Sequence, residues 1–190
     1  MFYPETAVPP TKLQTEALLF VPLSPAHVHR DYDALMVSKE MLRVWGGHGW
    51  PSDDFTLEAN LQDLEWHHLE HQENIAYTYT ILTPDEHECL GCVYIKPLSD
   101  IQEDAPDYHA IVRYWVIEPQ LAHGLEIRVL DALINWFNSD AWQFERVLLH
   151  ARQVDERQLA TFVEAGLAES DTIDLPDRGG SFIFFDLLQI

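Results

Sequence analysis

Two successive periodicities of apolar residues mark the stretch from Ile111 to Asn138. Its first part, Ile111 to Ile117, is rich in β-branched and aromatic residues, which predicts a buried strand. Glu118-Pro119 ends that run, and after Gly124 the apolar residues recur at helical spacing. A helix start offers unpaired N–H groups and the positive end of its dipole, which favour an anion. The pattern predicts a strand, a turn and a helix suited to a phosphate-bearing cofactor.

The same patterns divide the rest of the chain into strands and helices. The predicted strands are Glu16–Leu23, Ile75–Thr83, Glu88–Lys96, Arg146–Ala151 and Ser181–Leu188. The predicted helices are Ala26–Val37, Lys39–Trp45, Thr56–Glu73 and Asp155–Glu164. Residues 1–15 are expected to form an extended arm. No repeat or second boundary interrupts residues 16–190, which predicts a single domain.

The charge balance excludes one class of partner. The 190 residues carry 32 acidic and 11 basic side chains, a formal net charge of −21. A phosphate backbone would be repelled, so nucleic acid is not an expected partner, whereas cations such as amines would be attracted. A solubility device or an adaptation to salt is the simpler explanation of the same charge.

The N-terminus and the hydropathy of the chain are used to predict the cellular compartment. The first residues, MFYPETAVPPTKLQ, lack the basic start and apolar core of a signal peptide. No apolar run approaches the length of a membrane span, so no membrane partner is expected. A cytoplasmic protein is the default expectation.

Two short motifs have the spacing of metal ligands. Cys89 and Cys92 form a single CxxC inside a predicted strand, where residues three apart face opposite ways, so buried small side chains are expected. His67, Glu70 and His71 fit the HxxEH pattern of inverted zinc peptidases, which also needs a third protein ligand. A chance match on a solvated helix is the simpler interpretation, and no metal is expected. A metal-dependent hydrolase is the remote alternative.

The order of elements, together with two segments, resembles the GCN5-related N-acetyltransferase (GNAT) superfamily. Arg113-Tyr114-Trp115-Val116, then Pro119 and His123-Gly124-Leu125, is similar to the strand and cofactor turn of its ribosomal-protein N-terminal acetyltransferase branch. DERQLATFVEAGL, residues 155–167, is similar to that family's NxRAxxLYEKxGF segment, and SFIFFDL to its last strand. The resemblance covers residues 16–190.

The resemblance implies a fold and an activity. The fold would be a single α/β (α+β) domain with a mixed, largely antiparallel twisted sheet of six to seven strands and about four helices. The activity would be direct transfer of an acyl group from acetyl-CoA or another acyl-CoA to a primary amine. That amine could belong to a small molecule or a protein N-terminus. The resemblance implies no metal and allows a homodimer.

The resemblance also assigns candidate positions around the cofactor. Backbone groups of the strand end would pair with the pantetheine arm, and one N–H near Val116 would polarise the thioester carbonyl. Backbone N–H groups of the turn would hold the pyrophosphate, with His123 and Arg128 as further phosphate partners. The candidate cofactor-binding residues are Val116, Ile117, Glu118, Leu121, Ala122, His123, Gly124, Leu125, Glu126, Arg128 and Asp155.

Four positions depart from the family pattern. Leu121 and Glu126 replace an amide or basic residue and a small residue of the turn, while Asp155 and Phe162 replace an asparagine and a tyrosine. Glu126 has two interpretations: its side chain turns to solvent, or its carboxylate occupies the anion site and weakens cofactor binding. Together the departures raise a second hypothesis, a catalytically degenerate binding module on the same fold.

Candidates on the acceptor side come from a glycine-rich loop and a hairpin. Trp45, His48 and Trp50 surround the loop, and Tyr77 and Tyr79 share one face of the hairpin. An aromatic and acidic pocket would suit a cationic amine. Glu118 and His109 are the candidate general bases, and neither belongs to a recognised motif.

Overall fold

The structure is a computed structural model that describes residues 1–188, and in this range one sheet of eight strands crosses the molecule. The strands are β1 (Leu13–Gln14), β2 (Leu19–Pro22), β3 (Tyr77–Leu82), β4 (Cys89–Pro97), β5 (His109–Val116), β6 (Arg146–Arg152), β7 (Glu169–Leu175) and β8 (Gly180–Asp186). The helices are α1 (Val28–Val37), α2 (Lys39–Gly46), α3 (Leu57–Gln72), α4 (Leu125–Phe137) and α5 (Glu156–Glu164). The strand order is β1-β2-β3-β4-β5-β6-β8-β7.

The predicted fold class is confirmed, with more strands and helices than expected. All neighbouring strands are antiparallel except β5 and β6, so the sheet is mixed and largely antiparallel. The two strands that the sequence did not predict are β1 and β7. β7 reads ESDTIDL and lies mostly exposed at the edge of the sheet. Charged side chains on an edge strand deter pairing with other chains, but they also hide the strand from a search for apolar alternation.

The parallel pair β5 and β6 separates along its length. Paired residues run from His109 with Arg146 to Val112 with Leu149, after which β5 continues to Val116 without a partner in β6. β6 also continues, but its partner there is β8, with Arg152 paired with Phe182. A wedge-shaped gap, called here the β5–β6 cleft, therefore opens at the carboxyl ends of both strands.

On its other side, β5 lies unusually close to β4. A Cβ added to Gly91 would lie 2.0 Å from the Trp115 carbonyl oxygen, and the φ of Gly91 is +148°. Only glycine allows that approach and that backbone conformation at low cost. The register also shifts between Ile81 and Leu82 of β3, which leaves β4 bulged opposite them.

The bulge changes the expected position of the two cysteines. Both are buried, as predicted, and neither forms a disulfide. The prediction that they face opposite ways is wrong: Thr80 pairs with Cys92, so their side chains share a face, and Thr80 Oγ1 also lies 3.5 Å from Cys89 Sγ. A bulge adds one residue to the strand, so two residues that are three apart can face the same way.

The N-terminal residues pack against the hairpin formed by β3 and β4. Tyr3 is buried, and its ring lies 5.6 Å from that of Tyr77. The Tyr79 hydroxyl donates a hydrogen bond to the Pro10 carbonyl at 2.6 Å. Tyr77 and Tyr79 are fully buried, and Trp142 packs edge-on against Tyr79 at 6.0 Å.

Between residues 1 and 188, the helices are all too short or too polar to cross a membrane.

Asp31 is a buried acid between α1 and the sheet. Its carboxylate accepts hydrogen bonds from Asn60 Nδ2 at 2.9 Å and from Cys92 Sγ at 3.5 Å. Burial raises the pKa of Asp31 to about 6, against an ordinary value of 3.8, despite these two donors. Between about pH 4 and pH 6, the folded protein therefore holds a proton on Asp31 that the unfolded chain releases.

We predict that Gly91→Ala lowers the free energy of unfolding by roughly 2–5 kcal/mol, since it adds both a steric clash and backbone strain. Gly46→Ala is the matched control, because nothing lies within 4 Å of a Cβ at Gly46. Urea denaturation of both variants measures the difference. Equal losses would contradict the close β4–β5 approach.

We also predict that Asp31 makes stability fall as pH rises. Below about pH 4 both states are protonated; between pH 4 and 6 only the unfolded state loses its proton, which costs up to about 3 kcal/mol. In Asp31→Asn that loss disappears, so the variant gains stability relative to wild type as pH rises through this window. Asp33→Asn, at an exposed position on α1, is the control. Parallel pH profiles for all three proteins would contradict the assignment.

Candidate active site

A cavity of about 370 Å³ lies on the face of the sheet that α2 and α3 cover, beside the β5–β6 cleft. Its size falls in the range of small-molecule sites. We call it the Trp45 pocket. Its lining residues are Trp45, Trp50, Asp63, His67, Tyr94, Lys96, Ile111, Arg113, His150, Arg178 and Phe182.

The pocket is aromatic but not acidic, which corrects the expectation from the sequence. Lys96, Arg113 and Arg178 contribute positive charge, and Asp63 is the one acid among the lining residues within the described range. The Arg113 guanidinium lies 4.0 Å from the centre of the Trp45 ring and donates a hydrogen bond to the Trp45 carbonyl. Burial lowers the pKa of Arg113 to about 10, so its guanidinium remains charged at neutral pH.

His67 enters the pocket from α3 with its orientation fixed. Its Nδ1 lies 2.8 Å from Glu70 Oε2, while its Nε2 lies 3.9 Å from Asp63 Oδ1. The ring packs edge-on against Tyr94 at 5.4 Å. A carboxylate that accepts the Nδ1 proton leaves Nε2 free to accept another and stabilises the cation that results.

His67 and Glu70 of the HxxEH stretch therefore do not lie on a solvated face, and the expectation of a solvated position is wrong. The side chains of His67 and Glu70 are 12% and 11% exposed. His71, one turn later, points toward the rings of Tyr77 and Tyr79, at 5.0 and 5.3 Å. In the described residues no group of three or more His, Cys, Asp or Glu side chains could hold a metal ion.

The β5–β6 cleft is partly filled by side chains from two helices. The Tyr114 carbonyl, which faces the cleft, accepts hydrogen bonds from Trp45 Nε1 at 2.8 Å and from Gln158 Nε2 at 3.0 Å. Backbone groups alternate in direction along a strand, and Ile117 donates to Leu90 on the β4 side. The backbone N–H and C=O of Val116 therefore face the cleft, beyond the last paired residue of β6.

The turn after β5 folds as a 3₁₀-helix, Glu118–His123, and Gly124 follows with φ +70°. Leu121, Ala122 and His123 lie in that helix, and Arg128 of α4 donates a hydrogen bond to the His123 carbonyl. Leu125 is buried at the start of α4. The predicted sequence of strand, turn and helix is thus observed at the predicted place.

Glu126 points inward, so the interpretation that its side chain turns to solvent is wrong. The residue is 5% exposed. Its carboxylate pairs with Arg157 and accepts a hydrogen bond from Thr161 Oγ1 at 3.0 Å. Gln158 Nε2 lies 3.4 Å away, so the residue that holds the Tyr114 carbonyl also contacts Glu126. One network joins α4, α5 and β5 across the inner end of the cleft.

The other departures from the family pattern lie around the same network. Asp155 is buried and caps α5, because its Oδ1 accepts a hydrogen bond from the Gln158 N–H at 3.2 Å. Phe162 is fully buried between the rings of Tyr114 and Phe185, at 6.1 and 5.3 Å. Both side chains have a packing role that is visible without a ligand.

Only some of the predicted acceptor-side residues meet. Trp45 and Trp50 line the pocket, whereas His48 is exposed and, like Tyr77 and Tyr79, does not line it in the part of the chain that the structure describes. Of the predicted bases, Glu118 is exposed on the 3₁₀-helix and His109 lies at the start of β5. Neither is a lining residue within residues 1–188.

The sequence patterns did not predict the pocket residues that the sheet brings together from distant segments. Tyr94 and Lys96 come from β4, Arg113 from β5, His150 from β6 and Arg178 from the turn before β8. Alternation within each strand could have indicated a shared face, but without the strand order it could not indicate a shared pocket.

Comparisons with solved structures match this architecture over nearly the whole chain. A ribosomal-protein-S5-alanine acetyltransferase from Vibrio fischeri has a TM-score of 0.72 at 15% identity, covering 93% of this chain and 96% of that one. The ribosomal-protein acetyltransferase RimL in complex with coenzyme A has 0.69 at 16%, covering 93% and 95%. The microcin self-immunity acetyltransferase MccE in complex with acetyl-CoA and AMP has 0.73 at 13%, covering 96% and 98%.

The chain has the GNAT fold. No protein-family model and no curated protein matches its sequence. At these identities the structural likeness shows the fold alone.

Proposed function

We propose that the protein is an N-acyltransferase that moves an acyl group from acyl-CoA to a primary amine in the Trp45 pocket. The observation that carries the proposal is the β5–β6 cleft, which opens next to a pocket of small-molecule size. RimL and MccE, which share the fold, were solved with coenzyme A and acetyl-CoA. A donor in the cleft and an acceptor in the pocket would meet at the end of β5.

The acyl end of the donor fits the free part of the β5 edge. Val116 has its backbone N–H and C=O directed into the cleft beyond the last β5–β6 pair, where an extended arm can bond as a strand would. The Val116 N–H is also the donor that we assign to the thioester carbonyl oxygen. Acyl-CoA supplies an activated thioester carbonyl, to which the amine nitrogen forms a bond as the carbon–sulfur bond breaks.

His67 is the residue that we assign as general base. The ammonium must give a proton to a base before its nitrogen can attack the thioester carbonyl, and His67 Nε2 is available in the pocket because Nδ1 faces Glu70. Proximity to Tyr94 places the imidazole beside the strand that pairs with β5. A thiolate leaves without needing a proton, so the absence of a tyrosine at Phe162 does not prevent the reaction.

The pyrophosphate end of the donor would lie near the network at Glu126. The carboxylate of Glu126, in the first turn of α4, pairs with Arg157. A pyrophosphate bound at the start of α4 would be repelled by this carboxylate, so Glu126 weakens cofactor binding. This contact favours the second candidate function, a binding module that holds a ligand in the Trp45 pocket and has lost acyl transfer.

We predict that wild-type protein binds acetyl-CoA and that Glu126→Ala binds it about tenfold more tightly, equivalent to about 1.4 kcal/mol, because a like charge is removed. Calorimetry measures both affinities, and Glu156→Ala, an exposed change in the first turn of α5, is the control. Binding by Glu126→Ala alone would favour the degenerate module. Absence of binding by both proteins would contradict an acyl-CoA site.

We predict further that His67→Gln lowers kcat about 10²–10⁴-fold with little change in KM, since it removes proton transfer and not binding. Glu70→Gln should lower kcat less, because it weakens the orientation of His67. His68→Gln, on the same helix outside the pocket, is the control. Coenzyme A release with an amine substrate measures the rates. An unchanged pH–rate profile in His67→Gln would exclude His67 as the base.

A further inference from the structure

The Trp45 pocket gathers cations in a protein that has very few of them. The chain has 11 lysines and arginines against 32 acids. Three of the 11, Lys96, Arg113 and Arg178, line this one cavity. Arg152 lies close enough that its charge, like that of Arg178, acts to lower the pKa of Arg113 after the larger effect of burial. Clustered like charges repel, so the folded protein holds them together at a cost.

These cations lack the acidic partners that the protein gives to others. Lys39 and Arg43 pair with Asp53, at 2.9 and 2.7 Å, and Arg146 pairs with Asp186 at 2.8 Å. For the three pocket cations, no ion pair within 4.0 Å occurs anywhere in residues 1–188. Their hydrogen bonds, where present, go to backbone carbonyls: Arg113 to Trp45 and Arg178 to Asp100.

Two buried nitrogen atoms at the base of the pocket also lack partners. His150 is 5% exposed, and its Nδ1 forms no hydrogen bond to any described residue; the same holds for Arg113 Nε. Buried polar atoms in folded proteins are almost always hydrogen-bonded, so two unpaired atoms in one cavity point to a polar ligand. Arg113 Nε can only donate, so that ligand must supply an acceptor.

Aromatic rings form the walls around this polar base. Arg113 is placed between Trp45 and Phe182, at 4.0 and 5.3 Å from their ring centres. His150 stacks on Phe184 at 4.9 Å with the two rings 15° from parallel. These contacts hold the polar groups in place from behind, while Trp50 and Tyr94 add two further rings to the lining. Aromatic walls of this kind favour a flat apolar group next to the charged end of the same ligand.

We infer that the Trp45 pocket binds a small aromatic amine that carries an oxyanion, a carboxylate or a phosphate, held by Arg113, Arg178 and His150. The role of this ligand as acyl acceptor rests on the proposed function; its binding does not. Arg113 supplies a charged donor at the base, Arg178 a second at the rim, and Lys96 adds to the positive field. The acidic exterior and this cationic interior then select a ligand with both an amine and an anion.

Three probes, each with one ring and one primary amine, test the contribution of the anionic group. Tyramine has no oxyanion, tyrosine adds a carboxylate, and O-phosphotyramine adds a phosphate. Calorimetry without any acyl-CoA measures each affinity. We expect tyrosine or O-phosphotyramine to bind at least tenfold more tightly than tyramine, and the better of the two identifies the oxyanion. Affinity for that probe should fall as salt rises, because the attraction is between charges.

The variants assign the effect to the pocket. Arg178→Gln, which changes an exposed side chain, should lower the affinity for the anionic probe about tenfold and leave tyramine unchanged. Arg113→Gln should do the same with a larger loss, and its far-ultraviolet circular dichroism should match wild type. Lys12→Gln, an exposed cation in the N-terminal arm, is the control.

The outcomes are separable from those of the proposed function. Equal binding of all three probes, or no binding of either anionic probe at millimolar concentration, would overturn the inference. So would anion binding that survives both Arg178→Gln and Arg113→Gln. If the protein binds the anionic probe but neither binds acetyl-CoA nor releases coenzyme A, the inference about the Trp45 pocket stands and the proposed acyltransferase function is wrong.

Discussion

The hydrogen bonds to the Tyr114 carbonyl oxygen are the contacts on which the candidate site depends. Where β5 and β6 separate, that oxygen loses its place in a ladder, and a buried carbonyl without a donor would cost about 1–3 kcal/mol. Trp45 Nε1 approaches it from the pocket side and Gln158 Nε2 from the side of α5. Both donors thereby compensate the open end of the sheet and fix two helices relative to it.

Charge has an uneven distribution around that opening. On the α4–α5 side, Glu126 places a carboxylate where the fold presents a helix start, and Arg157 neutralises it. On the pocket side, Arg113 and Arg178 remain without acidic partners among residues 1–188. An anion on the α4–α5 side would be repelled by the Glu126 carboxylate, whereas an anion in the pocket would meet cations that have no acidic partner. The pocket is therefore the better prepared of the two sites.

Local sequence patterns predicted most of the elements because each pattern has its own period. The apolar alternation of β3 and β4 and the helical spacing after Gly124 survive in any tertiary setting. The same reasoning missed β7, whose exposed acids follow the needs of an edge strand. It also misjudged HxxEH, because helical spacing indicates that His67 and His71 share a face but not what covers that face. In the folded chain β3 and β4 cover it.

The sequence by itself predicted three features: the strand, turn and helix around Gly124, the excess of acidic residues, and the unusual glutamate at position 126. Each depends only on neighbours within about one turn or on composition. The direction of the Glu126 side chain was not predictable, because it is decided by Arg157 and Thr161, more than thirty residues away. The cationic pocket was hidden for the same reason. Its members are spread over β4, β5, β6 and the turn before β8, and only the pairing of those strands brings their charges into one cavity.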